Sequence, residues 1–175
     1  MEIAKMTDLS LTDFFKNKTK ELTLTLFTEE TYKQNQEYRK NHNIKCIYSC
    51  YDPISKSFEN KGIYVLEGDI TVNQIRGIGF IRLNKDSGNY RTIYEKKNYN
   101  NYTYKGNYHI NREDMNEREE IIMQVFDTLC FYGKTHLKRF SGIKRFPKRW
   151  IYNMRELTDV LEFITKMFES RFRSV

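Results

Sequence analysis

Apolar residues along this chain change their period several times, and the changes mark its elements. Leu22, Leu24 and Leu26 alternate with Thr23 and Thr25, the period-two signature of a half-buried strand. Thr28 follows as a helix cap. The segment of roughly 29–41 opens with Glu29 and Glu30 at the positive end of a helix dipole, and its few apolar positions predict a largely exposed helix. Upstream, Ser10 and Asp13 have the spacing of a capping box before Phe14 and Phe15, which predicts a short N-terminal helix.

From Lys45 the pattern becomes strand-like. KCIYSCY, GIYVLEG and QIRGIGFIRLN read as three neighbouring sheet strands, punctuated by Asp52-Pro53 and Gly68-Asp69. Residues 90–110 set tyrosines and isoleucines among Asn, Lys and Gly, and predict one or two hairpins with tyrosines on a face. Ile121, Ile122, Val125, Phe126, Leu129 and Cys130 then fall at helical spacing behind Glu117, Glu119 and Glu120, with Gly133 placed to end the helix. A last helix, capped by Asn153 with Glu156, carries Leu157, Val160, Leu161, Ile164, Met167 and Phe168 as its core stripe.

Strands gathered in the middle, helices at both ends and no repeat or linker predict one α+β domain. Its central sheet is expected to be mostly antiparallel, with a barrel-like form within reach and helices flanking it. A chain of 175 residues can bury a core without disulfides or metal. Cys46, Cys50 and Cys130 are an odd count behind an opening MEIAKMTDLS without a basic-then-apolar leader, so reduced thiols and an intracellular setting are expected. No apolar run approaches the roughly 20 residues that span a bilayer, and no membrane partner is expected.

Charge sharpens the picture. A formal net charge of +7 favours an anionic partner, nucleic acid first. The charge concentrates in YGKTHLKRFSGIKRFPKRW, residues 132–150, which holds Lys134, Lys138, Arg139, Lys144, Arg145, Lys148 and Arg149 and nothing acidic. Cations interleaved with Tyr132, Phe140, Phe146 and Trp150 can neutralise phosphates and stack on bases. Phe140, Phe146 and Trp150 read first as anchors pinning the segment to the core, which leaves the cations as the contacts. With His136 as a further phosphate donor and Arg76 from the neighbouring sheet, these cations form the candidate nucleic-acid-binding set.

Other chemistry is weaker. Gly77 and Gly79 form a G-x-G without a third glycine or a following helix, so they read as a buried strand allowing close packing, beside which a groove can lie. His42, Cys46 and Cys50 have a ligand-like spacing, yet in a strand the two cysteines stand about 13 Å apart at roughly 3.3 Å per residue, too far for one zinc ion. Asp52 with Glu59-Asn60-Lys61 matches an acid plus acid-x-Lys arrangement for Mg²⁺-assisted phosphodiester hydrolysis; the plain alternative is a polar turn. The P-loop, the nucleophile elbow and the zinc-deaminase pattern are absent, so no cofactor, metal ligand or catalytic residue is assigned.

Taken together, YDPISKSFENKGIYVLEGDITVNQIRGIGFIRL, YKGNYHI and HLKRFSGIKRFP resemble a family of uncharacterised proteins of nucleocytoplasmic large DNA viruses, over about residues 45–150. That resemblance implies a viral setting in host cytoplasm, nucleus or virion, and carries no activity with it. At fold level, IYVLEG followed by GIGFI is also similar to the PUA, ASCH, EVE and YTH group of small β-barrels, in which such a glycine strand lines the ligand groove. This implies a barrel-like sheet and binding of RNA or modified nucleic acid. Trp150 is the only Trp, so a tryptophan cage for a methylated base is not expected. The expectation is a non-enzymatic protein binding RNA or DNA through its basic segment. Its rivals are a Mg²⁺-dependent nuclease using Asp52, Glu59 and Lys61, and a virion structural or scaffolding protein whose basic segment docks on an acidic viral protein.

Overall fold

The computed structural model describes residues 11–85, 87–134 and 136–173. The Leu and Thr alternation forms strand β1 (Lys20–Phe27), but both its faces are buried. Leu22 and Leu24 enter the main apolar cluster, while the threonine face is satisfied internally: Thr23 donates to the Tyr64 carbonyl at 2.8 Å and Thr25 to the Gly142 carbonyl at 2.9 Å. A hydroxyl that returns its proton to a neighbouring backbone can be buried at little cost, which is why a half-polar strand sits centrally.

Strands β3 (Gly62–Asp69), β4 (Gln74–Arg82), β6 (Tyr108–Asn111) and β7 (Ile143–Arg145) complete a five-stranded sheet in the order β6-β4-β3-β1-β7. Its pairings are antiparallel except β1 with β3, which lie parallel from Lys20↔Gly62 to Phe27↔Asp69. The chain between these two runs back through helix α2 (Glu29–His42) and strand β2 (Cys46–Cys50), the length of connection that parallel neighbours need. The expected trio of neighbouring strands is therefore corrected. β3 and β4 do pair, but β2 belongs to a second sheet with β5 (Tyr102–Gly106). The fold is α+β with a mixed, mostly antiparallel sheet, and its sheets do not close into a barrel.

The expected hairpins within 90–110 are also replaced. β5 and β6 are separated by Asn107 alone, and each pairs elsewhere, β5 with β2 and β6 with β4. At this crossing a Cβ on Gly106 would lie 2.1 Å from the Phe80 carbonyl oxygen, so only glycine lets the two backbones pass.

Helix α1 is described over residues 11–15; Ser10, the expected cap, lies outside the described residues. Thr28 caps α2 in a reciprocal capping box with Thr31, and Asn116 does the same for α3 (Glu117–Phe131) with Glu119. The C-terminal prediction shifts. Asn153 ends a short helix, α4 (Lys148–Asn153), while Asp159 caps α5 (Val160–Arg171), leaving Leu157 exposed outside the stripe. α3 and α5 cover one face of the sheet around Phe80, Phe126, Phe146 and Phe168. The β2–β5 pair covers the other around Phe27, Tyr48, Ile63 and Ile81. Among the described residues no helix is long and apolar enough to cross a membrane.

Candidate nucleic-acid interface

The basic segment is not one loop. After α3 it folds back through a hydrogen bond from the Leu137 amide to the Cys130 carbonyl at 2.8 Å, pairs as β7 with β1, and ends in α4. Phe146 is buried edge-on against Phe126 and Trp150, so these two aromatics are the anchors the sequence suggested. Phe140, half-buried like Trp150, packs against the same core and also lines an open cavity together with Lys138 and Ser141.

The cations fall into separate classes. Lys134, His136, Arg139, Lys144, Lys148 and Arg149 are exposed, and Lys138 is half-buried. The Lys144 ammonium stands 5.6 Å from the centre of the Phe140 ring, and that of Lys148 5.3 Å from Phe15. Arg145 is held within the protein: it stacks on Phe58 at 4.2 Å, donates to Ser57 Oγ at 2.8 Å and pairs with Glu21. Lys61 reaches the same Glu21 carboxylate at 2.9 Å. Burial alone would raise the Glu21 carboxyl, but Lys61 and Arg145 hold it below the usual range. Arg76 is not brought to the segment. It pairs with Asp69 at 3.0 Å, stacks on Tyr32, and faces a separate hollow beside Gln74 and Arg112.

The cavity beside Phe140 has a volume of about 370 Å³. The end of β1, Thr28 and the first turns of α2, Tyr51, Ile70 and the turn at 94–99 form the rest of its wall. Tyr51, Tyr99 and Tyr94 make a continuous run of rings, with centroids 5.3 Å and 4.8 Å apart, and the Lys96 ammonium caps Tyr51 at 5.3 Å. Two buried asparagines hold this run. Asn100 Oδ1 accepts from the amides of Ile93 and Tyr94, and its Nδ2 donates to the Tyr94 carbonyl at 2.8 Å. Asn35 donates to the Ile47 carbonyl and to the Tyr94 hydroxyl at 3.0 Å. Burial pushes the Tyr99 phenol up to about 12, so it stays neutral.

A second notch shares Tyr51 and Ser141 with the cavity and continues past Cys50, Asp52, Phe58 and Gly142. Asp52 lines this notch, whereas Glu59 ends a neighbouring 3₁₀ turn and Lys61 is engaged with Glu21. Among the described residues no group of three or more His, Cys, Asp or Glu side chains is placed to hold a metal ion. The three nuclease candidates thus stand in different settings.

Gly77 and Gly79 make room for a buried polar cluster. A Cβ on Gly79 would sit 1.9 Å from the Tyr48 hydroxyl, and one on Gly77 would sit 3.0 Å from His109 Nε2. Both side chains converge on Glu67: Tyr48 donates to Oε2 at 2.6 Å, His109 Nε2 meets Oε1 at 2.9 Å, and Arg39 pairs with the same carboxylate. Burial raises the Glu67 carboxyl, but Arg39 and His109 outweigh it and hold it well below the usual range. Glu67, Tyr48 and Arg39 are buried and His109 is half-buried, and the cluster braces β3, β4, β6, α2 and β2 against each other.

Sequence reading singled out the cations and missed the cavity wall. Its signal was the run IYEKKNYNNY, where Tyr94, Lys96 and Tyr99 repeat the cation and ring alternation of the basic segment. No protein-family model, curated protein or solved structure matches the chain.

Proposed function

We propose that this protein binds single-stranded nucleic acid, taking one unstacked base into the tyrosine-lined cavity while lysines at its mouth hold the phosphates. One observation carries this reading: Lys138, Phe140 and Ser141 of the basic segment line the same cavity as Tyr51, Tyr94, Tyr99 and Lys96. Aromatic faces accept a splayed base, and a cationic rim accepts its backbone; together they are the recurring chemistry of single-strand recognition. The volume of about 370 Å³ falls in the range of small-molecule sites. A duplex keeps its bases stacked and has no group to insert there.

The resemblance to the PUA, ASCH, EVE and YTH group points the same way. The setting we propose is viral and intracellular, on the resemblance to the large-DNA-virus family alone.

Fluorescence anisotropy with labelled short single strands of RNA and DNA, and duplexes of the same sequence, tests the reading. Single strands should bind more tightly than duplexes. Phe140→Ala should weaken single-strand binding by about 5- to 100-fold, the loss expected for one stacking platform. Tighter binding of duplex, or an unaffected Phe140→Ala variant, would overturn the base cavity. Binding to poly-glutamate in place of nucleic acid would favour a docking role on an acidic protein.

A further inference from the structure

We infer that the notch beside the cavity takes the next base of the strand, so that the unit bound is two consecutive nucleotides, an assignment that rests on the base-cavity reading above. The two hollows share a dividing wall of Tyr51 and Ser141, and the notch has a volume of about 260 Å³. A strand that puts one splayed base into the first hollow carries its neighbour past that wall to the second.

The notch stands on the sheet framework. Its floor is Cys50 at the end of β2, Ile143 of β7 and the buried Phe58, which Arg145 covers from outside at 4.2 Å. The dividing wall is fixed in the same way. The Gly142 carbonyl accepts from Thr25 Oγ1 at 2.9 Å, and Gly142 itself, with φ of 78°, packs so closely that a Cβ there would stand 3.2 Å from Cys50 Sγ. On the other side the Tyr51 ring is held 5.3 Å from Tyr99 and 5.3 Å from the Lys96 ammonium. Little remains to be ordered when a ligand arrives, which favours binding.

The lining of the notch suits a ring and not a phosphate. The Ile54 amide is spent on the Tyr104 hydroxyl at 2.9 Å, and Ser55 Oγ accepts from the Ser57 amide at 3.3 Å. Among the described residues no cation lines the notch, and the exposed Asp52 carboxylate there repels phosphate. A phosphate would lose its water and gain nothing in exchange, whereas the flat face of a base is sheltered by the apolar floor and keeps its polar edge in water. The backbone therefore stays with the lysines at the mouth of the first hollow while the second receives a base.

Anisotropy with labelled four-residue strands of equal charge tests the count. The strands carry one uracil, two adjacent uracils, two uracils at opposite ends, or none, the other positions being abasic. Adjacent bases should bind about 5- to 100-fold more tightly than a single base, the worth of one further base contact. Bases at opposite ends should lose most of that gain, because the shared wall leaves no room for a spacer. Asp52→Trp, at an exposed position, sets an indole into the notch and should bring the ratio of two adjacent bases to one toward unity. Comparing the two strands on the same variant cancels the lost charge. Pro53→Trp, also exposed and lining the notch, should give the same ratio, so either variant decides if the other melts early. A ratio that survives in both overturns the placement of the second base. Equal affinity for one base and two adjacent bases, each tighter than the fully abasic strand, overturns the two-nucleotide unit and leaves the base cavity standing. Strands that bind no better than the fully abasic one remove the base cavity itself.

Discussion

Glu67 shows what one residue can do here: fully buried, it accepts from Tyr48, His109 and Arg39, which come from three different elements. Replacing it with Gln leaves the Arg39 guanidinium buried without its counter-charge, and Arg39 Nε has no hydrogen-bond partner among the described residues to soften the loss. Breaking a buried pair from one side costs about 3–5 kcal/mol, and the urea midpoint of Glu67→Gln should fall accordingly. The acid limb follows from the same contact. The folded carboxyl titrates below the free value of 4.5, so the unfolded state takes up protons first as pH falls past 4.5. Stability from Glu67 is therefore complete above that value and lost progressively below it, and Glu21 and Glu119, also lowered, act in the same direction. Urea midpoints measured across this window should decline with acid in the parent and decline less steeply in Glu67→Gln. None of the cluster was legible in IYVLEG, because a glutamate closing an apolar strand reads as an exposed end. Its partners lie 28, 19 and 42 residues away in the chain.

At the scale of elements, period and capping located β1, β3, β4, α2 and α3, since each is long enough for its own pattern to speak. Pairing was not legible. A period-two run states which face is apolar and is silent on which strand lies beside it, so β2 was placed next to β3 and the β5–β6 run was folded into hairpins. The G-x-G of β4 did announce close packing, and the structure shows against what. Gly79→Ala must displace the Tyr48 hydroxyl, and with it a bond to Glu67; about 1–3 kcal/mol of destabilisation is expected. Gly106→Ala meets the Phe80 backbone oxygen at 2.1 Å, which no side-chain rotation can relieve. Its cost should reach or exceed that of Gly79→Ala, and thermal melts of the two variants side by side check the order. The reverse order would mean that the β5–β6 crossing is more pliant than its backbone contact implies.

For the whole molecule the question is how a net charge of +7 is deployed, and here composition alone overstates the interface. Sequence clustering put Arg145 and Lys144 on equal terms, but Arg145 belongs to a pair with Glu21, 124 residues away in the chain, and a ring contact with Phe58. Arg76 likewise serves Asp69 and Tyr32 in a different hollow. On the proposed function the cations left to meet phosphate are Lys134, Lys138, Arg139 and Lys144, of which Lys138 shares a cavity with Phe140 and Lys144 stands 5.6 Å from its ring centre. Each phosphate neutralised on a single strand contributes about 0.7 to the slope of log K against log salt. Converting all four to Ala should flatten that slope by about 3 in anisotropy titrations over a range of salt. Arg145→Ala and Arg76→Ala should each change it by less than about 1, and Arg145→Ala should instead lower the unfolding midpoint because Glu21 loses a partner and Phe58 its cover. An unchanged slope in the fourfold variant would remove the segment from the interface. A large change in Arg76→Ala would extend the strand's path across the sheet to the far hollow.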